Sequence, residues 1–275
     1  MSETISFRSS MPLPEMIYWT VAVSMAAAFL LTLAIAAFDV RTIDGSQSVW
    51  LKPLKFELSL ALHAATLALV LGGLSQGIRT GPAMTIVAIV FVAACAIEMS
   101  YIIGQAARAE HSHFNVTTPF ARFMWSVMAI AAVVIICAAA AIGIAAALDT
   151  NSSFAPALKW AIALGLIGGT LLTLYTAFTI GARMTPYVGI TPTYEARMAL
   201  TGWSTVGGDL RVSHFLATHM IQVLPVIGIG VAYLMPSRAG VIIVFLFAIV
   251  WSGWTLIEYT RALSGAPSPI AQLLS

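Results

Sequence analysis

The sequence has little charge. Only 9% of its 275 residues are Asp, Glu, Lys or Arg, where a soluble domain carries about 25%. Hydrophobic residues make up 60%, and the mean hydropathy is +0.94. One globular core of this length cannot hide that much apolar surface, so the solvent is a bilayer. Lysine is scarce: Lys52, Lys55 and Lys159 are all there is, and none falls in the last apolar run, which excludes a retinal Schiff base there. Cysteine is limited to Cys95 and Cys137, both in apolar runs and expected as buried free thiols. No basic, aromatic-interleaved run is present, which argues against a nucleic-acid partner, and a net charge of +2 names no other. Walker A and GxGxxG patterns are absent. No tandem repeat is visible, and no cleavable signal peptide is expected, because the first apolar run is too long and lacks a clear small-x-small exit.

What is present is a series of long apolar runs. A span needs about 20 such residues, and seven runs qualify: roughly 16–38, 55–75, 83–105, 122–148, 156–181, 212–235 and 239–262. The expected fold is all-α: one polytopic membrane domain over residues 1–275, a seven-transmembrane-helix bundle. The longest connection runs from Ala182 to Arg211. Lys and Arg set the orientation. Arg8, Arg79, Lys159 and Arg238 fall on one side, and the other nine of the thirteen on the opposite side. The chain is therefore expected in a bacterial inner membrane with a periplasmic N-terminus and a cytoplasmic C-terminus.

The nine-charge side also collects the polar side chains. After span three comes "QAARAEHSHFN", an amide, an arginine, a glutamate, two histidines and an asparagine in eleven positions. "DVRTIDGSQSVWLKPLKF", "GWSTVGGDLRVSHF" and "WTLIEYTRA" lie at the same end. Positions i, i+3, i+4 and i+7 share a helix face. Lys52, Lys55, Ser59, His63 and Thr66 make one stripe, and Glu98, Tyr101, Gln105 and Arg108 a second. Arg211, His214, Thr218, His219 and Gln222 make a third, and Trp254, Thr255, Glu258 and Arg261 a fourth. Facing lipid would be expensive, so these stripes are expected to face a shared polar cavity.

Depth along each helix suggests which groups meet. At about 1.5 Å per residue, His63, Glu98 and His219 lie about 16, 15 and 12 Å inside the interface, and Glu258 only about 5 Å. Two imidazoles and a carboxylate suit one transition metal, zinc or iron, with a position open for water. The two histidines alone suit haem. His214 and His219 are five apart, about 140° around a helix, so they are not a chelating pair on one face. His113 and His214 are expected near the site as proton donors or acceptors beside Glu98. Lys52, Lys55, Arg108 and Arg211 form a collar that suits an anionic head group, with Gln105, Asn115, Gln222, Trp254 and Glu258 as further contacts. Asp209 is expected as the N-cap of span six. Trp50 and Trp203 are expected in an interfacial aromatic belt, and Pro225, Gly228 and Gly230 at a kink or a close helix contact.

"WLKP-KF", "RAEHSHFN-TTP" and "GGDLRVSHF---H--Q-LP" resemble motifs of a group of uncharacterised bacterial multispan membrane proteins, which implies a bacterial membrane origin. Ser59-x3-His63 is also similar to the second-span element of the membrane zinc hydrolases of the ceramidase and adiponectin-receptor type. The later pair departs from that pattern, since His214 and His219 stand in span six at the wrong spacing. The function expected from these residues is a membrane-embedded enzyme acting on an apolar, lipid-like substrate with a polar head, using metal at His63, Glu98 and His219. The alternatives are a transporter or receptor for an anionic small molecule, with Glu98 and the histidines as proton sites, and a haem-binding electron carrier.

Overall fold

A computed structural model describes residues 11–43 and 47–273. Arg8, counted above in the charge balance, and part of the loop after span one (44–46) lie outside the described residues. Among the described residues, α1 covers Leu13–Phe38, α2 Leu51–Gly72, α3 Gln76–Arg79, α4 Pro82–Ala107 and α5 Pro119–Leu148. Then come α6 Pro156–Arg183, α7 Leu210–Leu234, α8 Ser237–Leu263 and the short α9 Pro269–Leu273. All but α3 and α9 are long and apolar enough to cross a membrane. The fold is the expected seven-helix all-α bundle.

Helix starts follow local chemistry. Pro82, Pro119 and Pro156 each open a helix, where the missing N–H costs nothing. The Thr118 hydroxyl caps α5 by accepting from the Ala121 N–H at 3.0 Å. Asp209 caps α7 as expected, accepting from the Arg211 N–H at 3.0 Å. The second span starts earlier than its hydropathy indicates. It begins at Leu51, so Lys52 and Lys55 lie in its first two turns. The "SQGIRTGP" linker contains α3.

The helices form two groups joined by α5. α1, α2 and α4 pack together, as do α6, α7 and α8, and α5 lies between α4 and α6. The most extensive contact is α6 on α7, whereas α2 and α7 meet over only a few residues. Small residues set the close approaches. Ala64, Ala68, Ala88, Ala139, Ala146 and Ala161 are fully buried, which suits helices that pack by van der Waals contact in lipid. At Gly169 an added Cβ would stand 2.7 Å from Ile221 Cγ1 and 3.1 Å from its backbone nitrogen. Gly228 presses on Ala161 in the same way, but Gly230 has open space around it. The close contact expected near Pro225 is therefore made at Gly228 alone of the two glycines.

The end away from the nine-charge side is tied by an ion pair and by side-chain hydrogen bonds to backbone. Arg79 donates to Glu15 at 2.5 Å, the Asp149 carboxylate accepts from the Ser75 N–H at 2.7 Å, and Lys159 donates to the Asp149 carbonyl at 2.7 Å. At the nine-charge end, β1 (Thr42–Ile43) pairs with β2 (Gln47–Ser48), and β3 (Tyr187–Val188) pairs with β4 (Gly208–Asp209), both antiparallel. Hydrogen bonds from Arg41 and Trp50 hold the Asp39 carboxyl well below the usual carboxylate range. Trp50 is 7% exposed, with its indole N–H on Asp39, and Trp203 is 8% exposed against Phe215. Neither is an interfacial belt residue. Cys95 is buried as expected, but Cys137 is exposed on the bundle surface.

Gly169→Val should force α6 from α7 and cost about 1–3 kcal/mol, the usual price of overpacking. Gly230→Ala should be neutral or slightly stabilising, since alanine is the better helix former. Thermal unfolding of the two variants in one detergent checks both.

Candidate functional site

The segment after α4 turns back into the bundle. Ala109 takes a left-handed φ of 57°. Its N–H bonds the Ala106 carbonyl at 3.0 Å, and the Glu110 N–H bonds the Gln105 carbonyl at 2.9 Å. This is the double-bonded helix stop in which an αL residue closes the last turn. Alanine there, where glycine is usual, carries some strain. Phe114 is also left-handed, at φ 59°. The two bends bring His113 over the side chains of α2 and α5. Its ring lies 5.6 Å from Phe56 and 5.6 Å from Trp125, and Phe114 lies 4.9 Å from Trp125. Burial, and then the Lys52 ammonium, hold the His113 imidazole well below the usual histidine range.

Lys52 connects this loop to the bundle interior. Its ammonium lies 5.9 Å from the Phe56 ring and acts electrostatically on both His113 and Glu98. Among the described residues it makes no hydrogen bond or ion pair. Glu98 is 1% exposed, and neither carboxylate oxygen has a hydrogen-bond partner. Cys95 lies one turn away on the same face and interacts with Glu98 and with Tyr18, whose buried hydroxyl is also unpaired. A bare carboxylate in such a place is expensive. The arrangement calls for a neutralising partner, which can be a proton, the Lys52 ammonium or a ligand.

A second group lies across α2. His63 is 5% exposed. Its ring stacks 5.9 Å from Phe91 and interacts with the Ile135 carbonyl of α5 and with His219 of α7. Its Nε2 is buried and unpaired. His219 packs 4.1 Å from Phe215, and the Gln222 carbonyl oxygen one turn further along is buried without a hydrogen bond. His214 is apart from these, with its Nδ1 2.9 Å from the Thr176 hydroxyl.

The expected metal trio is thus divided. His63 interacts electrostatically with His219, and Glu98 with Lys52. Among the described residues no three His, Cys, Asp or Glu side chains are grouped to hold one metal ion. The cationic collar is divided too. Arg211 is committed to its own loop: it pairs with Asp209 at 2.6 Å and donates to the Gly202 carbonyl at 2.7 Å and the Tyr187 hydroxyl at 3.0 Å. Lys55 donates to the Thr201 carbonyl at 2.9 Å. Arg108 is 58% exposed, donating to the Gln105 side chain and pairing with Glu110 at 3.2 Å. Gln105 and Asn115 both donate to the His111 carbonyl, at 3.1 and 3.2 Å. These residues shape the loop, and of the collar only Lys52 has its charge free for a ligand. Trp254 is 39% exposed on the outside of α8, and Glu258 is buried near the end of that helix.

Two buried polar groups were not anticipated. Glu57 is fully buried between α1 and α2, where Thr32 donates to it at 2.7 Å. Its phase was readable, since it shares a helix face with buried Pro53, Leu60 and Ala64. Tyr18 carried no such signal, as one aromatic in an apolar run. A shallow groove of about 500 Å³, lined by Ala96, Ile97, Ser100, Tyr101 and Met124, opens on the outer side of α4 and α5 and holds none of these buried polar groups. No protein family, curated protein or solved structure matches this chain.

Two results should follow. The folded protein withholds from His113 a proton that the unfolded chain accepts, so stability is full above the free-imidazole value of about 6.5. It should fall as pH drops below that value, and His113→Phe should remove this part of the dependence in thermal unfolding measured across the range. Arg211→Lys keeps the charge but loses the forked contacts, and should speed proteolytic cleavage within residues 184–209 several-fold.

Proposed function

We propose that the protein is a multi-pass bacterial inner-membrane transporter or receptor for an anionic small molecule, with proton exchange at Glu98 linked to binding. The observation that carries this reading is the Glu98 carboxyl, buried in a membrane bundle with both oxygens unpaired beside a lysine that makes no ion pair. Lys52 supplies the charge for an anion, and His113 and its aromatic neighbours supply the wall. When the anion takes the Lys52 charge, Glu98 loses its nearest cation and must take a proton. Anion and proton therefore bind together. The two helix groups joined by α5 suit such a role, because one can move against the other. The excess of Lys and Arg supports a cytoplasmic Lys52 end and a periplasmic N-terminus.

A metal-dependent membrane enzyme is the second reading. It is favoured by one feature, the unpaired Nε2 of His63, a ring that interacts electrostatically with His219. Metal content and a visible spectrum of gently purified protein separate that reading, and the haem one, from the first.

Dicyclohexylcarbodiimide attacks protonated carboxyl groups in apolar surroundings, which makes it a direct test of the first reading. Peptide mapping should find the adduct on Glu98, forming more slowly as pH rises. A bound organic anion should change the rate, and Glu98→Gln should abolish the adduct at that peptide. A Glu98 that stays unlabelled at every pH would contradict the reading.

A further inference from the structure

The groove of about 500 Å³ on the outer side of α4 and α5 is not used by the Lys52–Glu98–His113 group. Ala96, Ile97, Ser100 and Tyr101 of α4 and Met124 of α5 line it. Toward the nine-charge end it meets Gly104, which shares a helix face with Ile97, Ser100 and Tyr101. A Cβ added at Gly104 would meet nothing within 4 Å. The groove is therefore open at that end as well as toward lipid.

The groups along it are ordered by depth. Counted at about 1.5 Å per residue from the end of α4, Ala96 and Ile97 lie about 15 to 17 Å inside, and Ser100 and Tyr101 about 9 to 11 Å. Ser100 is exposed and Tyr101 half-buried. Among the described residues neither hydroxyl has a hydrogen-bond partner. Hydrocarbon cannot supply one, so an occupant with acceptor oxygens at this level is favoured over a bare chain. At the rim stands Arg108, about two turns beyond Tyr101 on the same face. It pairs with Glu110 at 3.2 Å, and both side chains are more than half exposed. Arg108 makes its contacts through Nη2 alone, which leaves the Nε and Nη1 donors for a ligand. Both charges also act on the Tyr101 hydroxyl below them. The rim thus offers one cation and one anion side by side.

We infer that this groove is a binding site for a glycerophospholipid with a zwitterionic amine head, of the phosphatidylethanolamine class. One acyl chain lies along Ala96, Ile97 and Met124. The ester carbonyls accept from the Ser100 and Tyr101 hydroxyls, and the phosphate accepts from Arg108. The primary ammonium donates to the Glu110 carboxylate. Phosphate, ester and chain follow one another along the lipid as cation, hydroxyls and apolar wall do along the groove. A choline head matches the charges but has no N–H to donate, and a glycerol head has no cation for Glu110. The site does not rest on the proton-linked reading.

The test titrates the full chain, stripped of lipid in mild detergent, with ethanolamine, choline and glycerol phospholipids of identical acyl chains. Native mass spectrometry reads the first lipid bound. The ethanolamine lipid should bind about fivefold more tightly than the other two, as one hydrogen bond of ordinary strength provides. Glu110→Ala should bring it to the level of the choline lipid. Gly104→Leu fills the open end without meeting protein atoms and should weaken all three lipids. The comparison of the three lipids uses the unaltered protein, so it stands even if a variant fails to fold. Equal binding of the three, or an ethanolamine preference unchanged in Glu110→Ala, would overturn the proposal. So would a dimer that retains no lipid and that Gly104→Leu splits, because a second copy of the chain would then be the occupant.

Discussion

Hydrocarbon offers no hydrogen bonds, and the rest of this structure depends on that constraint. Every polar group carried into the bundle must find a partner within the protein or remain unpaired at a cost. Most of the polar side chains here are paired. Thr32 satisfies one Glu57 oxygen, Thr176 meets His214, and Arg211 is used up by Asp209, Tyr187 and Gly202. Against that background the exceptions are informative. Tyr18, Glu57, His63, Glu98 and Gln222 each keep an unpaired polar atom deep among the helices. Three of the five lie on helices that meet α2, and the other two are on α2 itself.

Two separate features follow from the packing of α2. On one side it holds Lys52 and Phe56 toward the returned loop at His113, above Glu98. On another it faces α7 across a loose seam. Tight packing elsewhere, with glycine and alanine at the α6–α7 and α5–α6 contacts, provides a fixed frame. Those unpaired polar groups lie on both sides of that frame, most of them on α1, α2 and α4 and one, Gln222, on α7.

Much of the fold could be read from the sequence, because span length and hydropathy are dictated by the bilayer. The error at α2 has a physical cause. Lys52 and Lys55 interrupt the apolar run, so hydropathy starts the helix late, yet both turn toward protein groups and their turns are helical. Depth arithmetic correctly brought His63 and His219 into proximity, but it carries no information about azimuth between helices. Glu98 lies at a similar depth and faces a different neighbour. The role of Arg211 was hidden for another reason: its partners are Asp209, Gly202 and Tyr187, and the last two are brought near only by the folded 184–209 connection. Most polar groups of the "QAARAEHSHFN" loop stabilise its own bends. His113 is the one that reaches in among the aromatic side chains.

The central claim is that Glu98 exchanges a proton inside the bundle. Infrared difference spectra of the protein in lipid, recorded across the neutral pH range, test it most directly. The account expects a carboxylic-acid C=O band that changes with pH and is missing in Glu98→Gln. Spectra in which no such band depends on Glu98 would contradict it.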